Sequence, residues 1–470
     1  MLKTMNTYFE TTDRDRRRSL LKPWADEARA LLKLAAPLIA MQLAQMGSIT
    51  ADVIMVGALG KEALAATSIG AVMFYLAWLT GYGPVMAVSP IVSQILGARP
   101  NDRARVRAAV RMGLWAIGLM SLPLMIFLIW AKPVLIALGQ DPKLAAMAEP
   151  WVHAVALGLP FALGFGVLRN FASALGRQNA VLAISIATLL FNIVMNYVLI
   201  YGHFGAPALG VQGSGIASAL AYTFSFVAML SVFLLAPSFR KYRLLHRFGR
   251  ADWAKFKEVF RLGGPMGASM IFEAMLFNSA TLIMGTFGAA SIAANQIALN
   301  VGSLTFMVPL GIGLAATVRV GLFAGAKNAE GARRAGHTAI ACGAGFMMLC
   351  GIMIALIPET LVSLYIPVKD RLNADVVPLA ITFLYVAAVF QLFDALQVTG
   401  QMGLRGLKDA QAPMWIAGIS YWLVGFTLAW GLAFWAGMQG LGVWIGLAAG
   451  LAAAGGGMVW RFEILSRRAL

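Results

Sequence analysis

Three carboxylates sit in stretches that otherwise read as hydrocarbon: Asp52 in ADVIMVGALG, Glu273 in SMIFEAMLFNSATLIMG (269–285) and Asp394 in VFQLFDALQV (389–398). Most of the other Asp and Glu among the 20 fall in polar tails or loops, as Asp26, Glu27, Glu62, Asp102, Asp141, Glu330, Asp370 and Asp409 do. A carboxylate at bilayer depth costs about 2.5–3.5 kcal/mol on insertion scales, so three cost roughly 7–10 kcal/mol together. Ala or Leu would build the same helices without that cost. Acids kept in such places face water, hold a cation, or take up and release a proton. The structural alternative is a protonated acid that only hydrogen-bonds a neighbouring helix. Arg319 and Arg405 are expected near helix ends, away from all three acids.

The elements that must carry these acids follow from composition. Of 470 residues, 60% are hydrophobic and 12% charged, about half the charged share of a soluble domain. Apolar runs of about 20 residues, each long enough to cross roughly 30 Å of hydrocarbon, recur along the whole chain. Twelve spans are expected: 28–57, 64–95, 108–131, 148–172, 180–202, 213–236, 259–287, 292–323, 335–357, 375–402, 413–436 and 440–460. The fold class is therefore an all-α polytopic membrane protein. Cys342 and Cys350 share one apolar run and the four histidines are scattered, which argues against a disulfide framework, a zinc site or haem. The polar start MLKTMNTYFETTDRDRRRS has no apolar core, so a cleavable signal is not expected. His153 is the one histidine clearly inside a span, and a packing role is expected for it. No HExxH or GxSxG motif accompanies it, and no nucleotide-binding loop is present, so neither an enzyme nor a cofactor is expected.

The net charge of +17 is distributed by side. With twelve spans, both tails and the even-numbered loops share a side that holds 32 of the 37 Lys and Arg. The opposite side holds only Lys61, Lys132, Lys143, Lys369 and Arg371. That asymmetry places both termini in the cytoplasm and the protein in a bacterial inner (plasma) membrane. The basic arm RDRRRS then sets topology beside anionic lipid, and no nucleic-acid partner is expected. KPWADEARALLKL is expected as an amphipathic helix lying in the interface and feeding the first span.

The chain also repeats itself. LLKLAAPLIA (31–40) aligns with VFRLGGPMGA (259–268), superposing Pro37 on Pro265 and Lys33 on Arg261. At the same shift Gly57 falls on Gly285 and Gly60 on Gly288. A slightly longer shift brings SALGRQNAV (173–181) over RGLKDAQAP (405–413). The expected organisation is a basic arm (1–27), a six-helix lobe (28–236), a basic linker (237–258), a second six-helix lobe (259–460) and a tail (461–470). Lobes of equal orientation about an axis along the membrane normal suit a transporter with a central cavity. None of the three acids is duplicated: Asp52 aligns with Ala280, Glu273 with Gln45 and Asp394 with Ala162. Scaffold symmetry does not require them.

ADVIMVGALG, FEAMLF, TVRVG (317–321), VFQLFDALQV, LRGLKDAQAP and GVWIGL, in this order and at these distances, resemble the multidrug and toxic compound extrusion (MATE) transporters, in their NorM-like branch. The similarity runs from about residue 28 to 460 and implies two pseudo-symmetric six-helix bundles in a V shape. It further implies that Glu273 and Asp394 form a cation site able to take Na⁺ or H⁺, with Gln391 and Asn278 as supporting polar residues. Asp52 corresponds to a second essential carboxylate, working with Asn192 and Asn196, whose spacing of four puts both amides on one helix face. Two departures matter. Asn196 replaces an Asp found in some relatives, and Phe390 replaces a Tyr that can lie near the cation. Phe keeps a ring face for a cation–π contact but offers no hydroxyl, which favours H⁺ over Na⁺. The resemblance implies antiport of cationic drugs, a monomer, membrane lipid as surroundings and a coupling ion in place of a cofactor. The 25 methionines would suit an adaptable cavity, and scattered Met in spans is also ordinary packing. A lipid-linked sugar flippase would share the two-lobe plan but should line its cavity with Arg or Lys. A passive channel is the reading from a different class.

Overall fold

The computed structural model describes residues 2–368 and 370–468, with side chains described for 22–368, 370–371 and 373–467. No strand occurs among the described residues. Twelve helical spans follow in order. They are α1 (Leu2–Gly57), α2 (Lys61–Ala98), α3 (Arg103–Ile129), the bent pair α4 (Pro142–Ala156 and Leu159–Ala174), α5 (Gln178–Tyr201) and α6 (Gly210–Leu235). Then come α7 (Trp253–Gly285), α8 (Ala289–Gly325), α9 (Ala329–Leu356), α10 (Val376–Gly406), α11 (Gln411–Trp435) and α12 (Gln439–Arg468). Eleven are single helices of membrane-crossing length and apolarity, and α4 makes the twelfth span when its halves, 44° apart, are taken together. In a bilayer only such helices satisfy every backbone N–H and C=O within the segment.

Local chemistry explains the irregularities. The break in α4 falls at Gly158, and Pro160 sits in the first turn of the second half, where its missing N–H has no partner to lose. Pro84, Pro90 and Pro309 lie inside continuous helices. Asp102, Asp141, Asp252 and Asn328 cap the N-termini of α3, α4, α7 and α9 through their side-chain oxygens, satisfying otherwise orphaned donors. α11 winds as a π-helix over Ile419–Phe426 and again over Gly431–Trp435.

The internal repeat reappears in backbone geometry. Gly60 and Gly288, which open α2 and α8, share φ/ψ of 110°/170° and 98°/173°. Gly176 and Lys408, aligned by the longer shift, both adopt left-handed φ values, 67° and 60°. Buried side chains gather in two main clusters. One is drawn chiefly from residues 31–244 and includes Trp151, Phe171 and Phe233. The other lies within 276–462 and includes Phe383, Tyr421, Trp444 and Phe462.

Twelve antiparallel crossings bring both chain termini to one end of the bundle, and there the two halves meet backbone to backbone. A Cβ on Gly97 would stand 2.0 Å from the Leu322 carbonyl oxygen, one on Gly325 2.1 Å from that of Gln94, and one on Gly83 2.4 Å from that of Gly263. Small residues permit this approach, and no larger side chain fits. Gln94 Nε2 donates to the Gly406 carbonyl at 2.9 Å. Every described hydrogen bond between residues 22–236 and 259–467 lies in this terminal half.

Two expectations change here. Residues 22–34 do not lie apart in the interface but continue α1 without a break. Glu27, expected in a polar tail, is 5% exposed and accepts two bonds from Arg319 of α8, from Nη2 at 2.6 Å and from Nε. The ion pair fastens this stretch to α8, so it continues the first span instead of lying apart from it. The side chains of RDRRRS lie outside the described residues.

Glu27→Gln or Arg319→Gln alone should lower stability in detergent by about 3–5 kcal/mol, since each strands a buried charge. Glu27→Leu with Arg319→Met should recover most of that loss. Thermal unfolding of the three variants checks this, and equal Tm values in single and double variants would refute it.

Candidate functional site

The structure builds two separate charged centres. In the first, Asp52 sits on α1 five residues before the helix ends, about 7–8 Å along the axis. Asn196 Nδ2 donates to its Oδ1 at 2.5 Å and Ser218 Oγ of α6 donates to its Oδ2 at 3.3 Å. The amide of Asn192 faces the same carboxyl. Asn192 and Asn196 are 3% and 0% exposed. The spacing of four on α5 therefore does what it implies, directing both amides from one face onto one acid. Asn192 Oδ1 and Asn196 Oδ1 have no hydrogen-bond partner among the described residues. Each amide is turned so that its donor serves the acid. Tyr222 stands within electrostatic reach of Asp52, its ring stacked on Phe74 at 5.8 Å.

The second centre lies near mid-span on α7 and α10. Glu273 and Asp394 are within electrostatic reach of each other. Glu273 is partly exposed, Asp394 is buried, and neither carboxylate has a hydrogen bond among the described residues. Gln391, one turn before Asp394, ties α10 to α8 by donating from Nε2 to Thr305 Oγ1 at 2.5 Å, and its Oε1 has no partner. Phe390 is buried edge-on between Phe277 (6.2 Å) and Trp444 (5.8 Å). Asn278 is the exception: exposed, it donates back to the Ala274 carbonyl of its own helix at 2.7 Å and is not joined to the acids.

Four residues absent from the sequence-level site belong to these centres. Ser218 completes the Asp52 cradle. Tyr421 is fully buried on the π-helical turn of α11, within electrostatic reach of Glu273 and Asp394, and its hydroxyl has no partner. A π-turn shifts the register of a helix and is often kept where a side chain must be aimed. Gln397, buried beside Asp394 on α10, has neither polar atom paired. Arg405 lies in the last turn of α10, the helix end expected for it, yet it is not solvated there. It is 3% exposed and within electrostatic reach of Glu273, with Nη2 donating to Gln401 Oε1 at 2.9 Å. The single available signal, a basic residue in the LRGLKDA turn, points to a helix end and gives no hint of its direction. The ring Nε2 of His153 lies 3.0 Å from the Ile129 carbonyl oxygen, apart from both acid centres.

A membrane-spanning helical bundle with two unequal acid centres is the class that fold and site define. The MatE family model matches residues 37–198 and 265–431, once in each half of the chain. The "Probable multidrug resistance protein NorM" of Mesorhizobium japonicum is 43% identical over 430 residues, covering 91% of this chain and 92% of that protein. The protein of the same description from Bradyrhizobium diazoefficiens is 40% identical over 444 residues, 94% and 95% of the two chains. A solved structure described as the outward-facing conformation of a multidrug resistance MATE family transporter superposes with a TM-score of 0.84 at 19% identity, covering 94% of this chain and 97% of that one. The chain belongs to the MatE family.

Removing the short Asn196 bond should cost about 1.5–3 kcal/mol in Asn196→Ala, while Ser218→Ala, at 3.3 Å, should cost nearer 0.5–1.5 kcal/mol. In an Asp52→Asn background both losses should shrink. Thermal unfolding of this double-mutant cycle measures the coupling, and fully additive losses would show that the cradle does not act through the carboxylate.

Proposed function

We propose that the protein is a secondary multidrug efflux transporter that exports amphiphilic organic cations in exchange for H⁺ or Na⁺ by alternating access. The observation that carries this reading is the Glu273–Asp394 pair: two acids at mid-span, within reach of each other, to which the scaffold gives no hydrogen bond. A buried carboxylate left so costs several kcal/mol unless a mobile cation completes it. The relatives, described as multidrug resistance proteins, supply the substrate class.

In the proposed cycle the lobes 28–236 and 259–460 rock about their shared contact. The tail-bearing end, with its excess of Lys and Arg, is the cytoplasmic one, as expected in a bacterial inner membrane. The closed terminal half then corresponds to a state open to the outside. From there H⁺ or Na⁺ reaches Glu273 and Asp394, neutralises them and lowers their hold on a cationic drug. After the lobes rock back, a new drug molecule competes for the same negative field. Coupling needs no more than that competition, because each ligand shifts the two states only by its differential affinity. Asp52, held by Asn192, Asn196 and Ser218, acts as a second ion-coupling group. H⁺ is the favoured ion, because Phe390 offers no hydroxyl oxygen to a sodium ion. A monomer contains both centres and suffices.

Glu273→Gln or Asp394→Asn should reduce efflux of a fluorescent organic cation at least tenfold, a loss of about 1.4 kcal/mol or more. Asn192→Ala should reduce it less. Proteoliposomes given separate pH and Na⁺ gradients should respond to the pH gradient. Undiminished, ion-driven export by both acid variants would end the proposal.

A further inference from the structure

Away from both acid centres, a groove of about 620 Å³ opens on the outside of the bundle between α9, α10 and α12. Its floor is apolar, formed by Leu396, Gly455, Gly456 and Val459. Gly455 presses on α10, where a Cβ would meet the Phe393 carbonyl oxygen at 3.0 Å, whereas nothing lies within 4 Å of a Cβ on Gly456. The glycine pair therefore joins the helices through one member and hollows the surface through the other.

The mouth of the groove is built differently. Glu463 accepts from Arg333 Nη2 at 2.7 Å and from Arg467 Nε at 2.6 Å, and the His337 ring Nε2 lies 2.7 Å from it. Two guanidinium groups share one carboxylate, so the cluster carries a net positive charge whatever the state of His337. The side chains of Arg333 and Arg467 remain 45% and 65% exposed and keep N–H groups that Glu463 does not use. Trp460, 67% exposed, stands beside the cluster, as aromatic rings do at a membrane–water interface. Gly455 lies eight residues deeper on α12, about 12 Å along the helix.

A cationic mouth at headgroup level above an apolar trench at acyl-chain depth matches one kind of molecule. We propose that this groove binds an anionic phospholipid, its phosphate on Arg333 and Arg467 and an acyl chain along Gly456. Guanidinium forks take phosphate oxygens as paired, charge-assisted bonds. A basic pocket between spans at the tail-bearing end is where an acidic headgroup is favoured over a zwitterionic one. The proposal stands apart from the transport reading, since neither acid centre takes part.

Native mass spectrometry of the purified protein with phosphatidylglycerol or phosphatidylcholine tests it. The unaltered protein should retain phosphatidylglycerol about tenfold better, and Arg333→Gln with Arg467→Gln should erase that preference. Gly456→Leu, which enters open space, should weaken retention of phosphatidylglycerol while leaving Tm unchanged in lipid-free detergent. Arg333→Lys, a milder change, should keep part of the preference. An unchanged preference in the double charge variant, or wild-type retention in Gly456→Leu, would overturn the proposal. So would displacement of the lipid by inorganic phosphate alone, which would reduce the site to an anion patch.

Discussion

A carboxylate surrounded by hydrocarbon must find donors, a counter-charge or a cation, and the two centres meet that demand in different ways. Asp52 is supplied with donors by the protein itself, two amides from α5 and a hydroxyl from α6. Its own oxygens are therefore served, while the carbonyl oxygens of the two amides are left without partners among the described residues. Glu273 and Asp394 are not so supplied. They have each other, a buried arginine within electrostatic reach and a ring of amide and hydroxyl groups left unpaired. Polar atoms buried without partners cost about 1–3 kcal/mol each. Gln391 Oε1, Gln397 and Tyr421 are in that condition beside the two acids, and on the proposed reading they serve the exchanging cation.

The scaffold has a corresponding asymmetry. In the terminal half, glycines let α2 and α8 approach until no side chain fits between them, and the Glu27–Arg319 pair and the Gln94–Gly406 bond fasten the seam. No hydrogen bond links the halves in the far half among the described residues. A seam made of backbone contact favours one close-packed position, because a gap of about 0.5–1 Å already forfeits roughly a quarter to a half of the dispersion energy. On the proposed reading such a contact would act as a latch, with Asp52 near the end of α1 that it leaves free.

How much of this the sequence discloses depends on whether a residue's meaning is local. Spans were legible because hydrocarbon thickness fixes helix length, and the bent α4 still reads as one apolar run. Asn192 and Asn196 were legible because a spacing of four has one geometric consequence on a helix. The repeat was legible down to Gly60 and Gly288, which share a backbone conformation open to few residues other than glycine. Glu27 and Arg405 were not legible, since a charged residue near a helix end reads as solvated unless its partner, some 290 positions away for Glu27, is known. Tyr421 was hidden for another reason: a π-turn changes which face a residue takes, and α-helical periodicity places it wrongly. Asn278 runs the other way: the resemblance implies a supporting polar role, while its Nδ2 donates to its own helix.

Arg405 also bears on the polarity of the central centre. A flippase for pyrophosphate-linked substrates would be expected to present positive charge, and a buried arginine in the last turn of α10 is at first sight such a feature. Its bonds point elsewhere: Nη2 donates to Gln401, and Nη1 donates to the sulfurs of Met402 at 3.3 Å and Met86 at 3.8 Å. A guanidinium wedged between two thioethers is not offered as a fork to an anion. Its charge acts at a distance on Glu273 instead, and two carboxyl groups against one base keep this centre an acidic one, which on the proposed reading suits a cation and not a pyrophosphate.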